Sequence, residues 1–277
     1  MFNDHKHETV ESRNEKFVEQ TATKIWLEVP SQENPYIAES AYCFGYDVLE
    51  LMEKRSFVDV FYLLFKGELP SQSASKLLEL LMIALINPGP RHPATRAAMN
   101  AGVGKSLPQH ILPIGLSVMG GEYLGVGAME SAMRFIRANQ KCDPCAVYEA
   151  YIEPFTTVPL ENADKINTII PGLGRVYGGI DRVVEKISKQ MVSFSDAGSS
   201  LKWVVKLAEQ LSGCNVGLLP SGLAAAVFSD LGFHPKSCAV LFQLMSAPGI
   251  AAHGLEISNK PITAMPFVPD NAYFIER

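Results

Sequence analysis

The residue types best suited to chemistry sit in two glycine-rich stretches. GGEYLGVG at 120–127 and PGLGRVYGG at 171–179 each lead into a helical pattern, and they carry Glu122, Tyr123, Arg175 and Tyr177. Backbone N–H groups in such a loop, at a helix N-terminus, can hold an anionic or carbonyl oxygen. The competing account is a tight helix-to-helix turn in which the glycines serve only the chain reversal. Two such loops in one chain favour a ligand.

Other patterns are poorer in chemistry. AGVGKS at 101–106 resembles the end of a phosphate loop, but Met99 stands where the pattern needs glycine and a helical run precedes it, which makes Lys105 a surface residue near a helix end. CDPC at 142–145 has metal or redox spacing, yet no second pair or nearby histidine completes a tetrahedral site, so no metal is expected and the stretch reads as a helix start. His5 and His7 fall in a polar N-terminal arm, His92 in a loop, and His110 and His253 in apolar helices where a hydrogen-bonded core histidine is the commoner finding.

Composition narrows the classes of function. A net charge of −5 without any run of Lys or Arg argues against nucleic acid, because phosphate binding needs a concentrated basic face. The apolar run from Leu77 to Ile86 is half of what a bilayer needs, so no membrane span is expected there. The N-terminus has neither an apolar signal core nor an Arg-rich transit pattern, and the five scattered cysteines suit free thiols, so a cytoplasmic location is expected.

The elements that would position the loops are nearly all helices. Residues 23–36 suggest one short strand, and helices follow over DVLELMEK and FVDVFYLLFK, with a break at Arg55. Ser71 is placed to cap the leucine-rich central helix that halts at Pro88, and 93–104, LPQHILPIGLSVMGG and 128–139 continue the pattern. Further helices are expected near 162–168, 181–193 and 199–212, with IIPGLGRVYGGIDR as a turn between the first two. Ser221 would cap GLAAAVFSDLGF, while Pro235 and Pro248 would each begin a helix. The proline-rich end, from 261 on, is expected to wrap a neighbour.

FVDVFYLLFKGELPS, PGPRHPATRAA, GGEYLGVGAMESAMRF, IPGLGRVYGGIDR, CNVG and APGIAAHGLE occur in the order and approximate spacing of the citrate synthase family. Over about residues 23–270 the chain resembles in particular its short members, the citryl-CoA lyases. The resemblance implies an all-α, two-domain helical fold: a flexible arm at 1–22, a large domain of 23–120 and 235–277, and a small domain of 121–234. It also implies a homodimer, and an interdomain cleft for a CoA thioester and a carbonyl substrate.

The carry-over of that family's chemistry lands on changed residues. The histidine that assists enolisation falls at Leu124, the histidine that polarises the acceptor carbonyl at Arg175, and the aspartate base at Gly217. An acceptor-binding arginine falls at Ser246 and a histidine at Pro88. Neither leucine nor glycine can move a proton, a step worth roughly 10²–10⁴-fold. Ordinary citrate synthesis is therefore not expected. Tyr123, Glu122 and Arg175 become candidates for acid, base and oxyanion clamp, and His253 with Glu256 matches an Ala-His-x-x-Glu helix of the family. Gly172, Gly174, Arg175 and Asn215 match its CoA recess. Leu124, Tyr177, Arg182, Gly217 and Ser246 mark the substrate positions.

The expectation is a divergent enzyme making or breaking a C–C bond in an acyl-CoA or related carbonyl compound, an acyltransferase or lyase. CoA enters as a substrate thioester, with no covalently bound cofactor. The alternative is a non-catalytic scaffold or regulatory subunit of the same fold.

Overall fold

The structure, a computed structural model, describes residues 21–122, 124–152, 167–194, 197–274 and 276. The chain divides into two compact units at 56/57. Residues 1–20 of the N-terminal arm, the break at 154–159 and residues 162–166 of an expected helix lie outside the described residues.

In the first unit, β1 (Trp26–Pro30), β2 (Ala38–Cys43) and β3 (Tyr46–Asp47) form an antiparallel meander, where a single strand was expected. Phe44 and Gly45, at φ 48° and 85°, make the two-residue reversal whose twist matches the strands. Asp47 then caps α1 (Val48–Lys54) by accepting from the Leu49 and Glu50 N–H groups.

The second unit is helical: α2 (Phe57–Lys66), α3 (Gln72–Leu85), α4 (Pro93–Val103), α5 (Pro108–Met119), α6 (Met129–Asn139), α7 (Pro144–Ile152), α8 (Arg182–Ser193), α9 (Ser199–Leu211), α10 (Pro220–Asp230) and α11 (Pro235–Ser258). Their faces follow from the apolar spacing. In α3, Ser71 accepts from Ala74 N–H at the start, and Leu77, Leu78, Leu81 and Leu85 are buried. In α6, Met129, Ala132, Met133 and Ile136 recur at helical spacing and are fully buried, while Glu130 and Arg134 pair on the outer face. From Ser221 to Phe228 α10 is buried all round, as a central helix should be.

Three local expectations change. The stretch around 171 is not a bare turn: β4 (Asn167–Ile170), β5 (Leu173–Arg175) and β6 (Gly217–Leu218) form a small antiparallel sheet, and Asn167 and Thr168 are strand where the end of a helix was expected. Gly172, at φ 85°, turns β4 into β5 so close to α10 that a Cβ would lie 2.8 Å from Gly222 Cα. Ser221 does not cap α10. Pro220 occupies its first turn, where no N–H is needed, and no side chain caps the helix.

Pro248 does not start a helix but lies inside α11, which runs unbroken for 24 residues. An interior proline removes a helical hydrogen bond and crowds the preceding turn. Here the next residue is tied from outside, Gly249 N–H donating to Ile86 O at 2.9 Å. The end of α3 sits so tightly on this point that a Cβ at 249 would lie 2.5 Å from Asn87 Cα. α11 is long and apolar enough to cross a membrane by length and composition, but it packs along α4, α5 and α6 and buries Leu241, Phe242, Met245 and Ile250 in the core.

Candidate functional site

The contact of α3 with α11 closes one side of a cavity of about 280 Å³ in the second unit. The end of α3 contributes Leu85, Asn87 and Pro88; the other walls come from His92, Met119 and Leu124, from Val176 and α8, and from the faces of α10 and α11. Most of the lining is aliphatic or aromatic. Asn87, His92, Asp181 and Ser246 are the polar members among the described residues.

Each polar group is set by its local structure. His92 precedes Pro93 and acts as the N-cap of α4, where its Nδ1 accepts the Ala94 N–H at 3.1 Å. With Nδ1 an acceptor, Nε2 carries the proton and donates to the Leu124 carbonyl at 3.0 Å. Burial holds the His92 pKa below its ordinary value, opposed by the bond to that carbonyl, so the ring is neutral. Leu124 itself has φ 53°, a left-handed conformation that leucine rarely adopts, and the bond from His92 fixes it in the wall.

Asp181 is the N-cap of α8, its Oδ1 accepting from Val183 N–H at 3.0 Å and Val184 N–H at 3.1 Å. Its Oδ2 makes no hydrogen bond among the described residues. Ser246, on α11, is 1% exposed, and its hydroxyl likewise has no partner among them. Asn87 Oδ1 accepts from Gly89 N–H at 2.9 Å. The cavity wall thus carries a carboxylate, a hydroxyl and an amide among mainly apolar residues. Those groups can accept a proton and hold a carbonyl oxygen.

The fold is that of the citrate synthases and citryl-CoA lyases. Citryl-CoA lyase from Hydrogenobacter thermophilus superposes with a TM-score of 0.70 at 24% identity over 93% of this chain and 95% of that one. ATP citrate lyase from Methanothrix soehngenii, solved with citrate and coenzyme A, gives 0.67 at 17% identity over 94% of this chain and 44% of the larger protein, so the chain spans under half of it. Citrate synthase from Thermoplasma acidophilum, in ternary complex with carboxymethyl coenzyme A and oxaloacetate, gives 0.58 at 17% identity over 80% and 57%. No family model matches the chain, and no curated protein matches it.

The residues singled out from sequence are dispersed. Leu124, Ser246 and Pro88 line the cavity together. Glu122 is exposed in the α5–α6 loop, and Tyr123 lies outside the described residues. Arg175, on β5, donates from Nη2 to the Cys214 carbonyl at 2.9 Å, and its Nε is buried without a partner among the described residues. Tyr177 is 64% exposed at the tip of a reversal closed by Val176 and Gly179. Arg182 points to solvent and pairs with Glu185 at 2.8 Å. His253, on α11, has Nδ1 3.9 Å from Glu256 and a buried Nε2 without a partner among the described residues.

Gly172 and Gly174 are buried at the β4–β5 turn, Asn215 ends a short 3-10 turn with φ 56°, and Gly217 pairs with Gly174 in the sheet. A Cβ at 217 would lie 2.6 Å from Ile180 Cγ2, so isoleucine packs where the resemblance places a carboxylate. Sequence reasoning passed over Asn87 and Asp181 as site residues and read His92 only as a loop histidine. The His-Pro pair did carry a signal, since proline in the first turn marks the preceding residue as a cap.

Proposed function

We propose that the protein handles a CoA thioester in C–C bond formation or cleavage, as an acyltransferase or lyase, with the acyl end in the cavity. The observation that carries this reading is the meeting of Leu124, Pro88 and Ser246, three positions that the citrate synthase resemblance marks as chemical, in one cavity that also includes Asp181, of whose carboxylate only Oδ1 is engaged among the described residues. Asp181 Oδ2 takes the proton from the carbon next to the thioester carbonyl. The C–H electron pair passes into the enolate, whose oxygen the Ser246 hydroxyl holds. In the forming direction the enolate carbon adds to an acceptor carbonyl, whose π pair moves to its oxygen and takes up the proton held on Asp181; cleavage is the reverse. On the expected division into a large domain of 23–120 plus 235–277 and a small one of 121–234, both domains contribute lining residues. The neighbours of this fold solved with coenzyme A support the thioester part of the proposal.

Calorimetry with acetyl-CoA and longer acyl-CoAs tests it: micromolar binding by at least one thioester is expected, and no binding by any of them removes the reading. A second reading, a non-catalytic subunit, draws on Ile180 packing against Gly217. It predicts stable mixed dimers with an active relative on co-expression and no turnover by the isolated chain.

A further inference from the structure

Charge sets what the cavity accepts. No lysine or arginine is among its described lining residues, His92 is neutral, and the one charged side chain there is the Asp181 carboxylate. A carboxylate brought into such a space loses its hydration without gaining a cation, and it meets a like charge. Against that, Ser246 offers a specific anchor. A serine inside a helix ordinarily returns its hydroxyl to the carbonyl one turn back. Ser117 in α5 does so at 2.8 Å to Pro113 O, and Ser229 in α10 at 2.8 Å to Ala225 O. Ser246 makes no such bond among the described residues, and the residue, 1% exposed, is part of the cavity wall, so its hydroxyl is left for a ligand there.

We infer that the cavity is a subsite for an electrically neutral, mainly aliphatic group with one carbonyl oxygen, anchored on the Ser246 hydroxyl, and that it rejects di- and tricarboxylates. At about 280 Å³ it has room for roughly ten non-hydrogen atoms, scaling from the ~150 Å³ cavity that holds benzene. The nucleotide end of CoA stays outside. The inference rests on the thioester reading only in assigning the carbonyl to an acyl group.

The full chain is titrated calorimetrically with CoA, butyryl-CoA, isovaleryl-CoA and succinyl-CoA. Butyryl-CoA and isovaleryl-CoA should bind at least tenfold tighter than CoA. Succinyl-CoA, whose acyl chain has the same four carbons but ends in a carboxylate, should gain nothing over CoA. Equal binding of butyryl-CoA and succinyl-CoA, or no gain from either neutral chain, overturns the inference. If no CoA compound binds, the thioester reading has failed, and 4-methyl-2-pentanone against 4-oxopentanoate decides the subsite by thermal shift. The ketone should raise the unfolding midpoint and the keto acid should not; a shift by the keto acid, or by neither, overturns the inference. Ser246→Ala should weaken the neutral ligand about fivefold, the value of one hydrogen bond, with Ser246→Cys as the second variant if the first misfolds. Unchanged affinity in a folded variant removes the anchor.

Discussion

Asp181 and Ser246 at the cavity, and Arg175 and Gly217 in the β5–β6 strand pair, have opposite relations to their surroundings. In the strand pair, Arg175 is anchored by Nη2 on the Cys214 carbonyl, although its Nε has no partner among the described residues, and Gly217 leaves a space that Ile180 fills. At the cavity, Asp181 and Ser246 stand in a largely apolar wall, and neither Asp181 Oδ2 nor the Ser246 hydroxyl has a hydrogen-bond partner among the described residues. Groups spent on packing are held by many contacts and cost stability when changed. Groups left uncommitted cost little to the fold and are available to a ligand. The contrast moves the proposed proton transfer from the sheet, where the family resemblance puts it, to the start of α8.

Asp181→Asn is the largest expected break in that contrast. Asparagine caps a helix about as well as aspartate, so the fold should keep its stability while C–C bond formation or cleavage, followed by chromatographic separation of the substrate and product acyl-CoAs, falls roughly 10²–10⁴-fold. Asp181→Ala should lose the same activity and about 1 kcal/mol of stability besides, through the missing cap. Full activity in Asp181→Asn would return the base to another residue.

The strand pair should respond in stability instead. Gly217→Asp drives a Cβ into Ile180 and is expected to cost about 1–3 kcal/mol in denaturant unfolding, the range for overpacking. Ile180→Ala makes room, so the double variant should recover part of that loss, a coupling of about 0.5–3 kcal/mol for touching residues. An additive cycle would mean that Ile180 does not occupy the vacated space.

Much of this arrangement could be read before the structure. Ser71 and the leucines of α3, and the methionines of α6, specify those helices because cap and period agree. The second sheet could not be read, since strands of two to four residues carry no period, and Gly172, Gly174 and Gly217 signal turns as readily as strands. Pro248 read as a helix start because its compensation, the Ile86 carbonyl, comes from a residue far away in sequence. The same distance hid the cavity. Leu124, Pro88 and Ser246 were reachable through family register, but nothing local in the sequence brings Asn87 and Asp181 to one space.

His92 joins the two kinds of residue, because it is packed and bonded yet lines the cavity, and its effect should be the smallest. Its folded-state pKa lies below the ordinary 6.5 because burial disfavours the cation, so the unfolded chain takes up the proton first. The contribution is complete above pH 6.5 and is lost as pH falls from there through the folded value. One proton limits the slope to about 1.4 kcal/mol per pH unit. Protonation also removes the Nδ1 acceptor from the Ala94 N–H, which loosens the α4 cap on which the Leu124 wall depends. His92→Asn keeps a capping side chain without the titration, so its unfolding free energy should lack this acid limb while starting about 1 kcal/mol lower for the lost bond to Leu124. Parallel pH profiles in the two proteins would place the titrating group elsewhere and leave the cavity wall independent of His92.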